Sequence, residues 1–159
     1  MMQDRQQQVL VLENVGKFAL KSLPVPTPAS REVLIQVGAV GICGTDLHIF
    51  HGLANYCRDA RGVPIPLSSK PQVLGHEFCG WVTAVGASVH RCEVGNLVAV
   101  EQFLSCVSLN LPVHCEYCES GDIHQCEFGQ ELGITGPPGA FSQFVTIPET
   151  KCSGSATTV

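Results

Sequence analysis

The stretch Glu32–Phe50, which reads EVLIQVGAVGICGTDLHIF, combines the clearest strand signal of the chain with an abrupt change of character. Its first part, Glu32–Val40, is rich in β-branched and aliphatic residues, and this composition favours a strand. From Gly41 onward, turn residues precede a run that is compatible with a helix, which Thr45 or Asp46 could cap. We therefore expect a strand that leads directly into a short helix carrying several reactive side chains.

Further short strands are expected on both sides of this stretch. They are Val9–Glu13, Lys17–Lys21, Phe78–Val85, Leu97–Glu101 and Phe141–Ile147. Residues 1–8 are expected to be a frayed tail, and the alternating prolines of residues 23–28 predict an extended connector. Residues 51–72 predict a long loop of the functional kind. Short strands separated by glycine and proline turns predict a mainly β fold, a distorted antiparallel barrel with short helices.

The composition excludes several classes of function. Of the 159 residues 45% are hydrophobic and 14% are charged, and the net charge is −5, as in a globular domain. The sequence has no basic block for nucleic-acid binding and no apolar run near the roughly 18 residues that span a bilayer. Its polar start, Met1–Gln8, lacks a signal-peptide core. We therefore expect a cytoplasmic protein with neither nucleic-acid nor membrane partners.

Nine cysteines are many for such a protein, and four of them fall between Cys106 and Cys126. An odd number without a signal sequence argues against a disulfide framework, so clustered cysteines are better interpreted as metal ligands.

A first set of candidate ligands is formed by Cys43 and His76. A thiolate and an imidazole suit zinc, and catalytic zinc sites use three protein ligands and leave a fourth position open. Gly44 and Gly75 lie directly beside them, and we expect these glycines to let the backbone approach the metal. Taken singly such residues are weak evidence, because a lone buried cysteine is usually a core residue.

The combination is more specific. GICGTDLH at residues 41–48, GHE at residues 75–77 and a downstream cysteine cluster together resemble the zinc-dependent medium-chain alcohol dehydrogenases, most closely their polyol and threonine branch. The resemblance covers roughly residues 9–152. It implies the GroES-like catalytic domain of that family, which contains a cysteine-rich zinc lobe. It also implies an oxidoreductase that oxidises a small secondary alcohol, such as a polyol or a β-hydroxy amino acid, with NAD(P).

The resemblance implies roles for individual residues as well. Cys43 and His76 match ligands of the catalytic zinc. Glu77 matches a carboxylate beside the metal that either supports the ligands or binds the metal transiently. Asp46 matches an acidic residue that orients the histidine ligand.

Two further residues match a proton relay. Thr45 corresponds to the hydroxyl that hydrogen-bonds the substrate alcohol and passes its proton onward. His48 corresponds to the far end of the relay, near the cofactor ribose, and is the cofactor-binding residue expected in this chain.

The second set is Cys106, Cys115, Cys118 and Cys126, which resembles the structural zinc lobe of the family and occupies about residues 104–130. The family spacing is Cys-x2-Cys-x2-Cys-x7-Cys, but here Pro112 stands where the first cysteine belongs. The simplest interpretation takes Cys106 as the first ligand and places six extra residues within the segment 107–114. Each doubling of a loop costs only about 0.6 kcal/mol, so chain entropy does not forbid a closed site.

Geometry leaves alternatives open at this site. The residues around Pro112 must bulge outward if Cys106 is to reach the other cysteines. His114 is another candidate for the fourth ligand, although adjacent residues rarely fit one tetrahedron. A three-cysteine site and simple free thiols are the remaining interpretations.

The sequence contains no dinucleotide fingerprint. Gly38, Gly41 and Gly44 have the wrong spacing, as do Gly133, Gly136 and Gly139, which are interrupted by prolines. We therefore expect residues 1–159 to be one catalytic domain with a core at about 9–150 and no Rossmann domain. On this interpretation the chain is a truncated or alternatively spliced product. The cofactor domain and the remaining zinc ligand would belong to the part that follows.

These expectations leave competing functions open. The chain could be the catalytic lobe of a dehydrogenase, a zinc-binding module without catalysis that is a remnant or a partner-binding fragment, or a cysteine-rich redox or metal-buffer protein. Thr45 and His48 favour the first, because a metal buffer has no use for a relay. We also expect an exposed apolar face that drives association, including homo-oligomer formation.

Overall fold

The structure, a computed structural model, describes residues 5–154 and is built mainly from short strands. In chain order the elements are β1 (Gln6–Asn14), β2 (Lys17–Pro24), β3 (Glu32–Gly41), α1 (Gly44–Phe50), β4 (Glu77–Val85), β5 (Leu97–Val100), β6 (Phe103–Leu104), α2 (Glu116–Ser120), a 3-10 turn (Ile123–Gln125), β7 (Gln130–Glu131), β8 (Phe144–Pro148), a second 3-10 turn (Glu149–Lys151) and β9 (Cys152–Ser153). The ends of the expected tail and domain, residues 1–4 and 155–159, lie outside the described residues. The predicted mainly β architecture is confirmed.

One curled antiparallel sheet organises the molecule. Its strand order is β8-β3-β4-β5-β9, and it forms a half-barrel. Two register shifts between β3 and β4, at Leu34/Ile35 and at Val37/Ala39, interrupt the ladder, and such bulges increase the local bend and twist of a strand. β1 and β2 form a separate hairpin, and β6 and β7 form a small ribbon beside the cysteine cluster.

The central position of β3 follows from its sequence. Val33, Leu34 and Ile35 are all buried, so both faces of the strand are covered. Val33 and Ile35 pack into the main core with Val82, whereas Leu34 packs on the other face against Phe144. Full burial of each such side chain contributes about 1.5–3 kcal/mol.

A second core holds α1 in place. Its buried members are Leu12, Ile49, Leu67, Leu74 and Ile134. They come from the hairpin, the helix itself, the long loop with the residues that follow it, and the segment before β8, so three other parts of the chain close around one face of α1. The hairpin turn adds a backbone hydrogen bond, because the N–H of Gly16 donates to the carbonyl oxygen of Phe50 at 2.7 Å.

The structure corrects the predicted helix cap. Cys43, in extended conformation, is the N-cap residue of α1, rather than Thr45 or Asp46. Asp46 is the third residue of the helix, and its carboxylate accepts a hydrogen bond from the N–H of Cys43. The helix therefore begins at the candidate metal ligand itself.

Three strand boundaries differ from the predictions by three residues, and others differ by a single residue. Gln6–Gln8 belong to β1 and Leu23–Pro24 to β2, because the hairpin ladder extends to the pair Gln6 and Pro24. β8 begins at Phe144 instead of Phe141, since the backbone of Phe141 forms hydrogen bonds with Leu74 and Leu10 rather than with β3. Within the described residues no helix is long and apolar enough to cross a membrane.

Candidate metal centres

The structure brings Cys43, His76 and Glu77 together. One potential donor atom from each residue lies within 4.8 Å of the others. This proximity follows from the sheet, because Gly41 at the end of β3 is the cross-strand partner of Glu77 at the start of β4. His76 is buried, Cys43 is half-buried and Glu77 is exposed, so the cluster is closed on the histidine side and open on the carboxylate side.

The carboxylate of Asp46 connects the two segments that carry these ligands. One oxygen accepts the N–H of Cys43 at 2.9 Å, and the other accepts the N–H of Gly75 at 3.2 Å. Asp46 is only 3% exposed, and buried charge-assisted hydrogen bonds are the stronger kind. Asp46 therefore fixes the backbone on both sides of the cluster.

His76 provides a direct test of whether a metal fits. Its Nδ1 atom is buried without a hydrogen-bond partner among the described residues, and it lies 3.6 Å from Oδ1 of Asp46. Ligands around tetrahedral zinc, with bonds of about 2.0–2.3 Å, lie about 3.3–3.8 Å apart. The donor atoms would need to approach one another by up to about 1.5 Å to reach that spacing, and a small shift of the imidazole would also complete the bond to Asp46. Sulfur, nitrogen and oxygen donors in this arrangement fit zinc.

Gly75 is required by packing. Its φ is +88°, and a Cβ there would lie 2.5 Å from the ring of Phe141. The neighbouring backbone is paired, because Ala140 donates to the carbonyl oxygen of Gly75 and Phe141 to that of Leu74. Gly44 has open space around it, so the two glycines beside the ligands differ, and only Gly75 is constrained.

The segment before β8 is a part of the site that sequence reasoning missed. A Cβ on Gly139 would lie 2.4 Å from the carbonyl oxygens of Leu74 and Gly75. The available signal was the group of glycines Gly133, Gly136 and Gly139, which do not fit a dinucleotide fingerprint. Gly133 and Gly139 make close backbone contact with the residues before His76, whereas Gly136 lies against Gln130 and Glu131.

Thr45 and His48 lie on α1, one helical turn apart. Residues at this spacing share a face of a helix. Thr45 is half-buried and His48 is exposed, whereas Asp46 and Ile49 on the other face are buried. The two predicted relay residues therefore face outward from the core, on the helix that begins at Cys43.

The second cluster contains all four predicted cysteines. Cys106, Cys115, Cys118 and Cys126 are buried, and their sulfur atoms lie within 4.8 Å of one another. Cys115 is the N-cap residue of α2, and Gly121, in the left-handed conformation, is its C-cap residue. This short helix was not predicted, because the sequence there shows little periodicity. His114 is exposed and does not belong to the cluster.

The extra residues after Cys106 form a capped turn. Asn110 donates to the carbonyl oxygen of Val107 and Leu111 to that of Cys106, and Asn110 has φ +52°. These are the two bonds of a Schellman motif, which ends a helical turn with a left-handed residue. Arg31 donates to the side chain of Asn110 at 3.1 Å. Residues 110–114 are exposed, so the insertion bulges outward while Cys106 stays in the cluster.

The ionisation of Cys115 and Cys118 reflects their packing in this cluster. Burial opposes ionisation of Cys115, but N–H donors from Cys118 and Glu127 outweigh it and lower the pKa of Cys115 to about 7. Burial raises the pKa of Cys118 to about 12, and the neighbouring thiols add to this effect. The opposite shifts of these two neighbours show that their thiols do not ionise together readily, and a dication is the charge that would stabilise clustered thiolates.

Comparisons with known proteins agree with this geometry. The family model described as alcohol dehydrogenase GroES-like domain matches residues 29–155. An L-threonine 3-dehydrogenase of Saccharopolyspora erythraea is 40% identical over 130 residues, which are 82% of this chain and 34% of that protein. A sorbitol dehydrogenase of Bacillus subtilis is 37% identical over 139 residues, 86% of this chain and 35% of that protein.

A solved structure extends the likeness to three dimensions. A short chain alcohol dehydrogenase of Escherichia coli, crystallised with NADH, superposes with a TM-score of 0.76 at 30% identity, over 94% of this chain and 38% of that one. The chain thus spans about a third of the length of the proteins that it matches. The fold, the two clusters and the matched region together show that this chain belongs to the family of alcohol dehydrogenase GroES-like domains.

Proposed function

We propose that this chain is the zinc-binding catalytic lobe of a dehydrogenase that oxidises a secondary alcohol with NAD(P). The observation that carries the proposal is the cluster of Cys43, His76 and Glu77 at the start of the helix that bears Thr45 and His48. The similar L-threonine and sorbitol dehydrogenases favour a β-hydroxy amino acid or a polyol as substrate.

In this proposal the residues of the first cluster bind zinc, and Asp46 orients one of them. Cys43, His76 and Glu77 would hold the ion, and Asp46 would fix the imidazole through Nδ1 so that the opposite nitrogen faces the metal. Zinc supplies Lewis-acid chemistry at such a site, lowering the pKa of a hydroxyl that it contacts to about 7. The exposed side of the cluster, beside Glu77, is where an alcohol would approach.

The proton would leave along α1. The half-buried hydroxyl of Thr45 can accept the proton of an alcohol and donate its own, since a hydroxyl is both donor and acceptor. His48 follows on the same helical face and is exposed, so it can carry the proton to water. General acid–base steps of this kind contribute about 10²–10⁴-fold in rate.

The four-cysteine cluster would bind a second, structural zinc. We take residues 9–150 as the core of one domain and residues 104–130 as the zinc lobe within it. Structural zinc contributes on the order of 10 kcal/mol to folding. A lobe whose helix α2 has only five residues depends on such a contribution.

The nicotinamide cofactor, which supplies the hydride chemistry, is expected to be seated by another segment. Every strand pair within residues 5–154 is antiparallel, and dinucleotides bind to parallel βαβ units. His48 is the residue here that would reach the cofactor ribose.

Association is also part of the proposal. Ile42 is 70% exposed and Leu47 is 50% exposed beside the first cluster. We expect this apolar face to drive self-association or contact with the remainder of a longer protein. A sedimentation experiment that finds only monomers, without binding of an apolar dye, would contradict this expectation.

The catalytic proposal is tested with Thr45→Val in the protein that contains this chain, assayed with sorbitol and L-threonine and with NAD⁺ and NADP⁺. We expect a fall in kcat of about 10²–10⁴-fold, with both metal ions retained. Thr83→Val is the matched control, because its hydroxyl bonds to the carbonyl oxygen of Leu34, away from the cluster. Unchanged turnover in Thr45→Val would contradict the relay. Metal binding without turnover of any alcohol would favour the non-catalytic zinc-binding fragment.

A further inference from the structure

We propose that three phenylalanines, Phe18, Phe50 and Phe141, form an aromatic brace that sets the spacing between Cys43 and His76. The inference rests on the proposed function, because it concerns the same metal centre. It assigns a positioning role to residues that do not touch the metal, the substrate or the cofactor.

The three rings contact one another in sequence. Phe18 stacks on Phe50 with the ring centroids 5.3 Å apart and the planes 12° from parallel. Phe18 also meets Phe141 edge-on, with centroids 6.3 Å apart. Aromatic pairs in these geometries contribute about 0.5–1.5 kcal/mol beyond the area they bury. The rings come from β2, α1 and the segment before β8, so they join three parts of the chain.

One end of the brace controls the helix that begins at Cys43. Phe50 is the last residue of α1, and its carbonyl oxygen accepts the N–H of Gly16 from the hairpin turn. A seven-residue helix is only about 10 Å long. A rotation at the Phe50 end is therefore transmitted almost undiminished to Cys43 at the other end.

The other end supports the backbone directly before His76. The ring of Phe141 occupies the space where a Cβ of Gly75 would be, 2.5 Å from its Cδ1 atom. The backbone of Phe141 is bonded on both sides, since it donates to the carbonyl oxygen of Leu74 and accepts from the N–H of Leu10. This pairing fixes the Cα atom of Phe141 beside Gly75, so the ring that fills the space next to Gly75 limits how far Gly75 and His76 can shift.

The brace complements Asp46. Asp46 ties the N–H groups of Cys43 and Gly75 by hydrogen bonds, and the rings hold the same two segments through apolar contact. Asp46 and the three rings line one apolar cavity of about 360 Å³. Because that cavity is open, neighbouring side chains do not fill the space that a lost ring leaves. Cys43 and His76 can then shift, whereas functional sites need their ligands within about 0.5 Å of the productive geometry.

The test measures metal affinity at each site separately. The chain is titrated with Co²⁺ in competition with a chelator, and the visible spectrum distinguishes the four-thiolate site from the site with one thiolate. Phe141→Leu and Phe18→Leu are each expected to weaken the Cys43 site by about 10-fold and to leave the four-cysteine site unchanged. Phe141→Tyr, which keeps the ring against Gly75, is expected to bind like the unaltered chain.

Phe144→Leu is the matched control. Phe144 is buried in a separate core with Leu34, so it should lower stability without changing cobalt affinity at either site. If Phe141→Leu does not fold, the cobalt affinity of Phe18→Leu at the Cys43 site tests the brace by itself. If the unaltered chain binds two ions and both leucine variants bind them as tightly as it does, the proposed role of the brace is wrong but the proposed metal centre is supported. If the unaltered chain binds only the ion of the four cysteines, both the brace and the proposed function are wrong.

Discussion

Replacement of Asp46 by asparagine is expected to destabilise the fold and the metal centre together. The two carboxylate oxygens accept two different backbone N–H groups, those of Cys43 and Gly75. An asparagine has a single side-chain oxygen, so it can satisfy one of these donors and turns an N–H group toward the other. One buried N–H therefore loses its partner.

The size of the effect follows from these bonds. A hydrogen bond to a charged group contributes about 1.5–3 kcal/mol, and a buried donor left without a partner costs about 1–3 kcal/mol. We expect the free energy of unfolding, measured by urea denaturation in the presence of a chelator, to fall by about 2–4 kcal/mol. Affinity for the ion at the Cys43 site should fall by about 10–100-fold, because the imidazole of His76 loses its orienting carboxylate.

Asp59→Asn is the matched control for this experiment. Asp59 also accepts two backbone N–H groups, those of Arg61 and Val63. Both bonds go to the same oxygen on an exposed loop, so asparagine can replace it at a cost below about 1 kcal/mol. An Asp46→Asn variant as stable as Asp59→Asn, with an unchanged zinc affinity, would refute the bridging role of Asp46.

Three other substitutions test separate parts of the fold. Burial raises the pKa of Glu149, but N–H donors from His90 and Arg91 outweigh it and hold that pKa below its ordinary value. Its stabilisation is therefore present at neutral pH and is lost as the pH falls through the lowered pKa. Glu149→Gln should lower the free energy of unfolding by about 1 kcal/mol at neutral pH, with the difference from the unaltered chain vanishing in acid. Asn110→Ala should lower the free energy of unfolding by about 1 kcal/mol. Asn110→Gly should hardly change it, because glycine tolerates the left-handed backbone of this position and alanine does not. Gly139→Ala should lower it by about 1–3 kcal/mol, since a Cβ there meets backbone oxygens at 2.4 Å.

Urea denaturation at several pH values measures all three, with controls within the chain. Gly44→Ala should be neutral or stabilising, because Gly44 is helical and has open space around it. Glu93→Gln, at an exposed site, should show no pH-dependent difference from the unaltered chain. A Gly139→Ala variant as stable as Gly44→Ala would mean that the close packing behind His76 is not needed.

The sequence was most informative where composition and local pattern agree. The central strand was predicted at Glu32–Val40 and observed as β3 at Glu32–Gly41, because three consecutive aliphatic residues need burial on both faces. β4, observed at Glu77–Val85, also differs by only one residue from the predicted Phe78–Val85. The motifs around Cys43 and His76 identified the family, which the matched region confirms.

Local rules failed where a distant contact decides the structure. Cap preference favoured Thr45 or Asp46, but Asp46 occupies the third helical position, where its carboxylate accepts the N–H of Cys43 and also that of the distant Gly75. β8 starts later than predicted, because the backbone of Phe141 pairs behind His76. The aromatic brace could not be predicted, since nothing in a local window relates residues 18, 50 and 141.

The stretched cysteine spacing shows a limit of a different kind. Loop entropy indicated that the insertion was tolerable, but it could not show how Cys106 reaches the cluster. The answer depends on the left-handed backbone of Asn110, which closes the turn. Asparagine tolerates that conformation better than most residues, so this residue was the one local indication.

The most direct test of the two-centre account is the zinc content of the purified chain, compared with that of Cys43→Ala and Cys118→Ala. We expect two ions per unaltered chain and one in each variant. The ion that remains should be bound by four thiolates in Cys43→Ala and by mixed ligands in Cys118→Ala, as the cobalt-substituted spectra would show. A single ion in the unaltered chain, or loss of the same ion in both variants, would contradict the account.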